Sequence, residues 1–363
     1  MDDALKKKLF GRAVRLALTA RPSPNPRVGA VLVKGGKVVA TGLHRRAGED
    51  HAEVAALKAA GGKAGGGDLL VTLEPCHTRG RTPPCTDAIV AAGIRRVHVG
   101  TLDPNPAENG RGVEALRAAG VEVALEQGAV AARCRELIEE WAVFITTSVP
   151  FVRIKAAVSL DGKIAATGGD SRWLSSEASR REAHRMRARH DAILVGLDTV
   201  VRDDPRLTVR DAPSSGDPPW RIIADTHLRT PPGSRLVRTA SQVPTFIAHA
   251  MGDGKELRSL GVQTIRCALH DGRVDLKDLF VKLGALSVTS VLVEGGSSLI
   301  TSLVERRLAD AITLFICPII VGGRHAVPLV GGGGVEKIAD ALRLKDVVCR
   351  KIGDDIRLTG RLT

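Results

Sequence analysis

Short apolar runs alternate with helical patterns along almost the whole chain, and this alternation limits the fold more than any other feature. Residues 5–20 carry apolar positions at helical spacing. GAVLVKGGKVVATG reads as two strands around a Gly-Gly turn. HAEVAALKAAG reads as a helix ended by glycines. LLVTL, RRVHVGTLDP and VEVAL read as strands, with helices PCTDAIVAAG and GVEALRAAG between them. CRELIEEWAVFITT closes the series as a helix. Such a rhythm predicts an α/β sandwich around a largely parallel sheet. SVPF reads as a hinge, and then the pattern restarts. VRIKAAVSL, AILVG, RIIAD, PTFIAH, TSVLVEGG, AITLFICPIIVGG and DIRLTGRLT read as strands, and SSEASRREAHRMRARH as a helix. A chain of 363 residues is too long for one ordinary core. The expected domains are 1–148 and 149–363, both α/β.

Charge and composition bound the partners. Lys plus Arg exceed Asp plus Glu by 13, which points to anionic partners. Aromatic residues make up only 2%, and tyrosine is absent. Single-stranded nucleic acid is gripped by stacking on aromatic faces, so a small phosphorylated ligand is the better expectation. No apolar run reaches the ~20 residues of a bilayer span. The opening MDDALKKKLF does not read as a signal peptide, so a cytoplasmic protein without membrane partners is expected. Cys134, Cys267, Cys317 and Cys349 are scattered, as in LFICPII, and read as inert thiols of a reducing compartment.

Cys76 and Cys85 differ, because they bracket a polar, turn-rich stretch in VTLEPCHTRGRTPPC. Upstream lies His51-Ala52-Glu53 at a helix start. A catalytic zinc takes three protein ligands and keeps one position open, a count that one imidazole and two thiolates fill. Cys85 follows Pro83 and Pro84 into a helix, where the positive end of the peptide dipoles stabilises a thiolate. Glu53 is placed to take a proton from an attacking water and pass it to a leaving group. Zinc deaminases carry H-x-E followed by P-C-x-x-C. Here H-A-E and P-C are present, but eight residues (77–84) separate the cysteines. Taken singly, the histidine could be a cap and the cysteines a structural pair or nothing. The ordered set, with an acid in place, favours catalysis.

TLEPCHTRGRTPPC, SPNPRVGAVLV, GEDHAEVAAL and DPNPAENGRG together resemble the bifunctional riboflavin-biosynthesis deaminase/reductase family. The resemblance continues through KAAVSLDGKIA, GDSRWLSS, ILVGLDTVVRDDPRLTVR and VLVEGG, so it covers essentially the whole chain. It implies a cytidine-deaminase-like three-layer sandwich followed by a dihydrofolate-reductase-like domain. The first would remove the 2-amino group of a diaminopyrimidinone ribosylamine 5′-phosphate. The second would reduce the ribosyl group to ribityl with NADPH. His51, Cys76 and Cys85 would hold one zinc per chain, Glu53 would move the proton, and Asn25, His44 and Arg81 would contact the deaminase substrate. A homo-oligomer is expected.

In the second half, TSVLVEGGSSLI runs from strand through two glycines into a helix beginning near Ser297, a shape that suits an anion. The lack of G-x-G-x-x-G argues against a dinucleotide fold of the Rossmann type. By itself VVRDDPRLTVR reads as a solvated loop. Under the resemblance Asp203 becomes the candidate acid. Lys155, Ser171, Arg187, Leu207, Arg210 and Glu294 then match substrate positions. Ala157, Trp173, Thr199, Asp203, Thr226 and the stretch Gly296, Ser297, Ser298, Leu299, Ile300, Thr301, Ser302 match cofactor positions.

One departure stands out. Members of that family usually read C-S-H or C-N-H where this chain reads Cys76-His77-Thr78. In an extended segment neighbouring side chains alternate, so Thr78 is expected to face the pocket and His77 to face away. Phosphate binding would then lean on Arg81 and His44. Two rival readings remain from the sequence. One is a nucleoside or RNA deaminase with a non-catalytic basic C-terminal domain. The other is a structural zinc protein that binds nucleic acid, which leaves Glu53 without a role.

Overall fold

The apolar run GAVLVK becomes strand β1 (Gly29–Lys34), buried at every position but the last. A two-residue turn at Gly35-Gly36, both with positive φ, returns the chain as β2 (Lys37–Leu43). Strands β3 (Asp68–Val71), β4 (Arg96–Val99) and β5 (Glu122–Leu125) complete a sheet in the order β2-β1-β3-β4-β5. The β3-β4-β5 half is parallel, whereas β1 runs antiparallel to both β2 and β3. The expectation of a largely parallel sheet therefore holds for half of it. A two-residue turn can only join antiparallel neighbours. The structure is a computed structural model and describes residues 1–80, 82–210 and 216–362.

The helices that cover this sheet are α1 (Asp3–Ala17), α2 (Ala52–Ala60), α3 (Cys85–Ala91), α4 (Arg111–Ala118), α5 (Gly128–Leu137) and α6 (Glu139–Thr147). The single closing helix expected over 134–147 is in fact two, parted at Ile138, where φ −106° and ψ 8° leave the helical region. Gly42 explains how α2 is seated. A Cβ there would lie 2.0 Å from the Ala52 carbonyl oxygen, so only glycine lets β2 lie directly on the first turn of α2. The core is one cluster around Leu32, Leu69, Leu70, Ile89 and Leu116.

The chain parts into two compact units between Ser148 and Val149. The second has its own nine-stranded sheet. Its order is Gln263–Arg266, Thr245–His249, Trp220–Ala224, Ala192–Gly196, Ser290–Val293, Phe151–Ser159, Ala311–Cys317, Asp355–Leu362 and Leu344–Ile352. The first seven run parallel, Asp355–Leu362 runs antiparallel to them, and Leu344–Ile352 runs antiparallel to Asp355–Leu362. AITLFICPIIVGG was expected to be strand throughout. The strand stops at Cys317, because Pro318 has no N–H to continue the ladder. The edge strand Leu344–Ile352 is exposed at every position from Lys345 to Lys351, and nothing in the reading of the sequence anticipated it. Helix Glu177–Arg189 is capped by the Ser176 hydroxyl, which accepts from the Ser179 N–H. Arg221 is wholly buried and donates to the carbonyls of Leu236, Thr239 and Val243 and to the Thr245 hydroxyl. Among the described residues, no helix is long and apolar enough to cross a membrane.

Candidate active sites

Parallel strands β3 and β4 end on the same side of the first sheet, so the segments that follow them, Thr72–Thr78 and Gly100–Gly110, meet there. Two helix starts face the same place. His51 is the residue before α2, with extended φ and ψ and no side-chain capping bond, which leaves its ring free to turn outward from the helix end. Cys85 is the first residue of α3, after Pro84. The His51 Nδ1 lies 3.5 Å from the Cys76 sulfur and 3.3 Å from the Cys85 sulfur. The three donor atoms lie within 4.8 Å of one another. Around a tetrahedral zinc, nitrogen and sulfur ligands stand about 3.6 Å apart. One imidazole and two sulfurs at this spacing fit zinc and leave its fourth direction free.

The Cys85 thiol donates to Cys76, which lowers Cys76 to about 5 and raises Cys85. Glu53 is 3% exposed, and its carboxyl lies beside Cys85. Burial first, then the Cys76 charge, pushes it up to about 7. His44 packs edge-on against His51 with ring centres 5.0 Å apart. Its Nδ1 meets the Asp50 carbonyl at 3.0 Å and its Nε2 meets the Asn25 amide nitrogen at 2.9 Å. A donor Nδ1 and an acceptor Nε2 satisfy both partners, and burial pushes its pKa down. His44 thus holds the Asn25 amide in place from its Nε2 side. Arg81 lies outside the described residues.

The expected alternation at His77 and Thr78 fails. Residues 75–78 are not a strand, so side chains need not alternate. Both residues turn to Glu108: its carboxylate accepts from the His77 N–H at 3.0 Å, meets the His77 Nδ1 at 2.7 Å and accepts from the Thr78 hydroxyl. Glu108, Glu74 and Asp103 line this side of the site and were missed as site residues. Asp103 is buried and pushed up to about 7, chiefly by desolvation, with Glu108, Glu74 and Cys76 adding to it. The only local signal was acid placement within TLEPC and DPNPAENGRG.

In the second unit, Glu294 directly follows strand Ser290–Val293 and leads into Gly295-Gly296. Gly295 has φ 98°, a turn open to glycine, and helix Ser297–Glu305 begins where the sequence predicted. The Glu294 side chain is 6% exposed and is gripped by Arg187, whose Nε and a terminal nitrogen meet its two oxygens at 2.5 and 2.8 Å. Lys155 approaches at 3.5 Å. Burial alone would raise the Glu294 carboxyl, but the Arg187 and Lys155 charges hold it well below the usual carboxylate range. Arg187 also donates to the Thr208 carbonyl at 3.0 Å. Arg210 reaches the Thr208 hydroxyl. Leu207 is buried, with φ 47°.

Asp203 ends helix Leu197–Asp203, and its carbonyl accepts from Arg172 at 2.7 Å. Ser171 lies one residue before that arginine and is half-buried. Trp173 is 72% exposed, with the Arg180 guanidinium 4.6 Å above its ring. Thr199 faces the Gly295-Gly296 turn. Lys155 and Ala157 share one face of strand Phe151–Ser159. Thr226 accepts from the Val274 N–H. Within 296–302, Leu299 and Ile300 are buried in the core, Thr301 accepts from the Gly331 N–H, and Ser302 donates to the Ser298 carbonyl. Only the first turn, Gly296 to Ser298, is left to meet a ligand through its backbone.

Residues 4–101 match the family model of the cytidine and deoxycytidylate deaminase zinc-binding region, and residues 150–358 match that of the RibD C-terminal domain. The chain is 43% identical to the riboflavin biosynthesis protein RibD of Aquifex aeolicus (strain VF5), over 92% of this chain and 91% of that one. It is 38% identical to the RibD of Escherichia coli (strain K12), over 96% and 97%. Among solved structures, Acinetobacter baumannii RibD superposes with a TM-score of 0.86 at 33% identity, covering 99% of both chains. A Thermotoga maritima diaminohydroxyphosphoribosylaminopyrimidine deaminase/5-amino-6-(5-phosphoribosylamino)uracil reductase gives 0.83 at 32%, again over 99% of each. With a His-Cys-Cys donor set in one unit and the family's C-terminal model across the other, this chain belongs to the RibD family: it is a bifunctional enzyme of riboflavin biosynthesis, with a zinc-binding deaminase and an NADPH-using reductase.

Proposed function

We propose that residues 1–148 carry out the deamination and 149–363 the reduction, in that order, on one phosphorylated pyrimidine. The observation that carries this reading is the meeting of His51, Cys76 and Cys85 beside the buried Glu53. His51, Cys76 and Cys85 would hold the zinc, which would supply a Lewis acid to make water nucleophilic at neutral pH. Glu53 takes the proton of the attacking water and gives it to the departing amine. A carbon–oxygen bond forms at the pyrimidine C2, its carbon–nitrogen bond breaks, and ammonia leaves. Asn25, fixed by His44, orients the base, and Arg81 receives the phosphate.

In the reductase unit, NADPH supplies a hydride. Ring opening would move the ribosylamine N–H proton to the departing ring oxygen and leave a C=N bond, whose carbon would take the hydride and whose nitrogen would take a proton. Asp203 relays these protons. Ser171, Leu207 and Arg210 border the substrate, with Arg187 and Lys155 holding Glu294 toward it. Ala157, Trp173, Thr199, Thr226 and the Gly296–Ser298 turn receive the cofactor. The low aromatic content supports a small phosphorylated substrate over nucleic acid, and we place the enzyme in the cytoplasm as a homo-oligomer.

The test is to incubate purified protein with the diaminopyrimidinone ribosylamine phosphate, with and without NADPH, and follow products by mass. Exchange of the amine for oxygen should occur without NADPH. Gain of a hydride and a proton should require it. Deamination of cytidine or RNA in place of this substrate overturns the reading.

A further inference from the structure

Of the three sulfur and nitrogen donors, two sit on helix starts, which fix their direction. Cys76 does not. It lies in an irregular stretch after β3, and its own direct ties are few: its carbonyl accepts from the Thr86 N–H at 3.2 Å, and its sulfur from the Cys85 N–H at 3.5 Å. What holds the chain on either side of it is the loop after β4 together with the first turn of α4, residues 101–113.

Before Cys76, the buried Glu74 carboxylate accepts three backbone N–H groups of that segment, from Asp103 at 3.0 Å, Gly110 at 2.9 Å and Val113 at 3.0 Å. Its own N–H donates to the Thr101 carbonyl at 2.9 Å. At Pro75, a Cβ on Gly112 would stand 2.0 Å from the carbonyl oxygen, so the first turn of α4 lies directly on the backbone there. After Cys76, Glu108 holds the His77 N–H, the His77 ring and the Thr78 hydroxyl. Glu108 is 7% exposed, and its backbone is locked into the loop by bonds to Asn105 and Arg111. Every residue from Glu74 to Thr78 except Cys76 is therefore gripped by segment 101–113.

We infer that Glu108 is a positioning residue for the deaminase metal centre: its carboxylate clamps His77 and Thr78 and so aims the Cys76 sulfur at the point where the His51 and Cys85 donors converge. This rests on Cys76 being a zinc ligand. The chemistry requires a carboxylate. An ionised Glu is acceptor-only and can receive all three hydrogen bonds, whereas a Gln at the same place offers one oxygen and turns a donor toward one of its partners. The clamp also gives the His77-Thr78 pair a role without any contact to substrate. Groups that hold metal ligands in place change metal affinity by about 10–100-fold when removed.

The experiment measures zinc release from the full-length, zinc-loaded chain to a chromophoric chelator, alongside reductase turnover as a check on folding. Glu108→Ala should release zinc about 10–100-fold faster than the unmodified chain. Glu108→Gln should fall between, and reductase turnover should be unchanged in both. The double variant His77→Ala, Thr78→Val removes the clamp from its other side. It should release zinc equally fast, and adding Glu108→Ala to it should change nothing further. Release from Glu108→Ala within about twofold of the unmodified chain, on a scale where loss of such a group gives at least tenfold, overturns the inference. Should Glu108→Ala fail to fold, the double variant, which keeps Glu108, decides on the same criterion. An unmodified chain that never takes up zinc overturns the ligand assignment and the inference together, so the two failures are distinguishable.

Discussion

Glu53 and Glu294 are both carboxylates with buried side chains, one in each unit, and their surroundings drive them in opposite directions. Glu53 sits beside two sulfurs, and burial first, then the Cys76 charge, raises its carboxyl. Glu294 sits in the fork of Arg187 with Lys155 close by, and these charges keep it ionised. A carboxyl so raised can exchange protons in mid-reaction. One locked in a bidentate arginine pair cannot. The first acid is thus suited to move protons and the second to hold geometry.

The comparison breaks most visibly at Glu53. Glu53→Ala should lower deamination by about 10²–10⁴-fold, the range for loss of a general acid–base, while NADPH-dependent reduction of pre-deaminated substrate stays intact. Loss of both activities in a folded protein would falsify the division between the units. Next in size is Glu294→Gln. It leaves the Arg187 guanidinium buried without its counter-charge, so the reductase unit should lose about 3–5 kcal/mol in urea unfolding, together with its turnover. A loss below about 1 kcal/mol would mean that the pair is solvated and that Glu294 is not the scaffold argued here.

The same variant sharpens the contrast with pH. A carboxyl held below its unfolded value of about 4.3 contributes stability that is complete above that value and lost as pH falls below it. Stability of the unmodified reductase unit should therefore fall in that acid window, and Glu294→Gln should flatten the fall. An equally steep acid limb in both proteins would count against the pairing. The smallest effect is expected at Trp173. Its ring is exposed and stacks with Arg180, so Trp173→Ala should alter unfolding by no more than about 1 kcal/mol. It should nevertheless raise the KM for NADPH, and an unchanged KM removes Trp173 from the cofactor side.

The sequence made the metal donors legible because two of them are tied to local signals, a helix start after His51 and the Pro-Pro entry before Cys85. The strand–turn–helix around Gly295 was legible for the same reason. What was not legible depends on residues far apart in the chain. Glu108 and Thr78 are thirty positions apart and meet only because parallel strands β3 and β4 end side by side. His77 was placed by an alternation rule that needs a strand, and there is none. Strand Leu344–Ile352 was invisible because both of its faces are exposed, which erases the period-two pattern. Likewise, the pairing of Arg187 with Glu294 spans 107 positions, and each residue alone looked like a ligand contact.

Each unit has its own sheet, and each hydrophobic cluster lies within one unit. In genetic terms this makes the two halves separate cistrons in all but name. A Gly112 substitution, whose side chain would collide with the Pro75 carbonyl, damages only the deaminase half, and a Glu294 substitution only the reductase half. Two alleles of this kind, each unable alone to support growth without riboflavin, should complement one another when carried in the same cell.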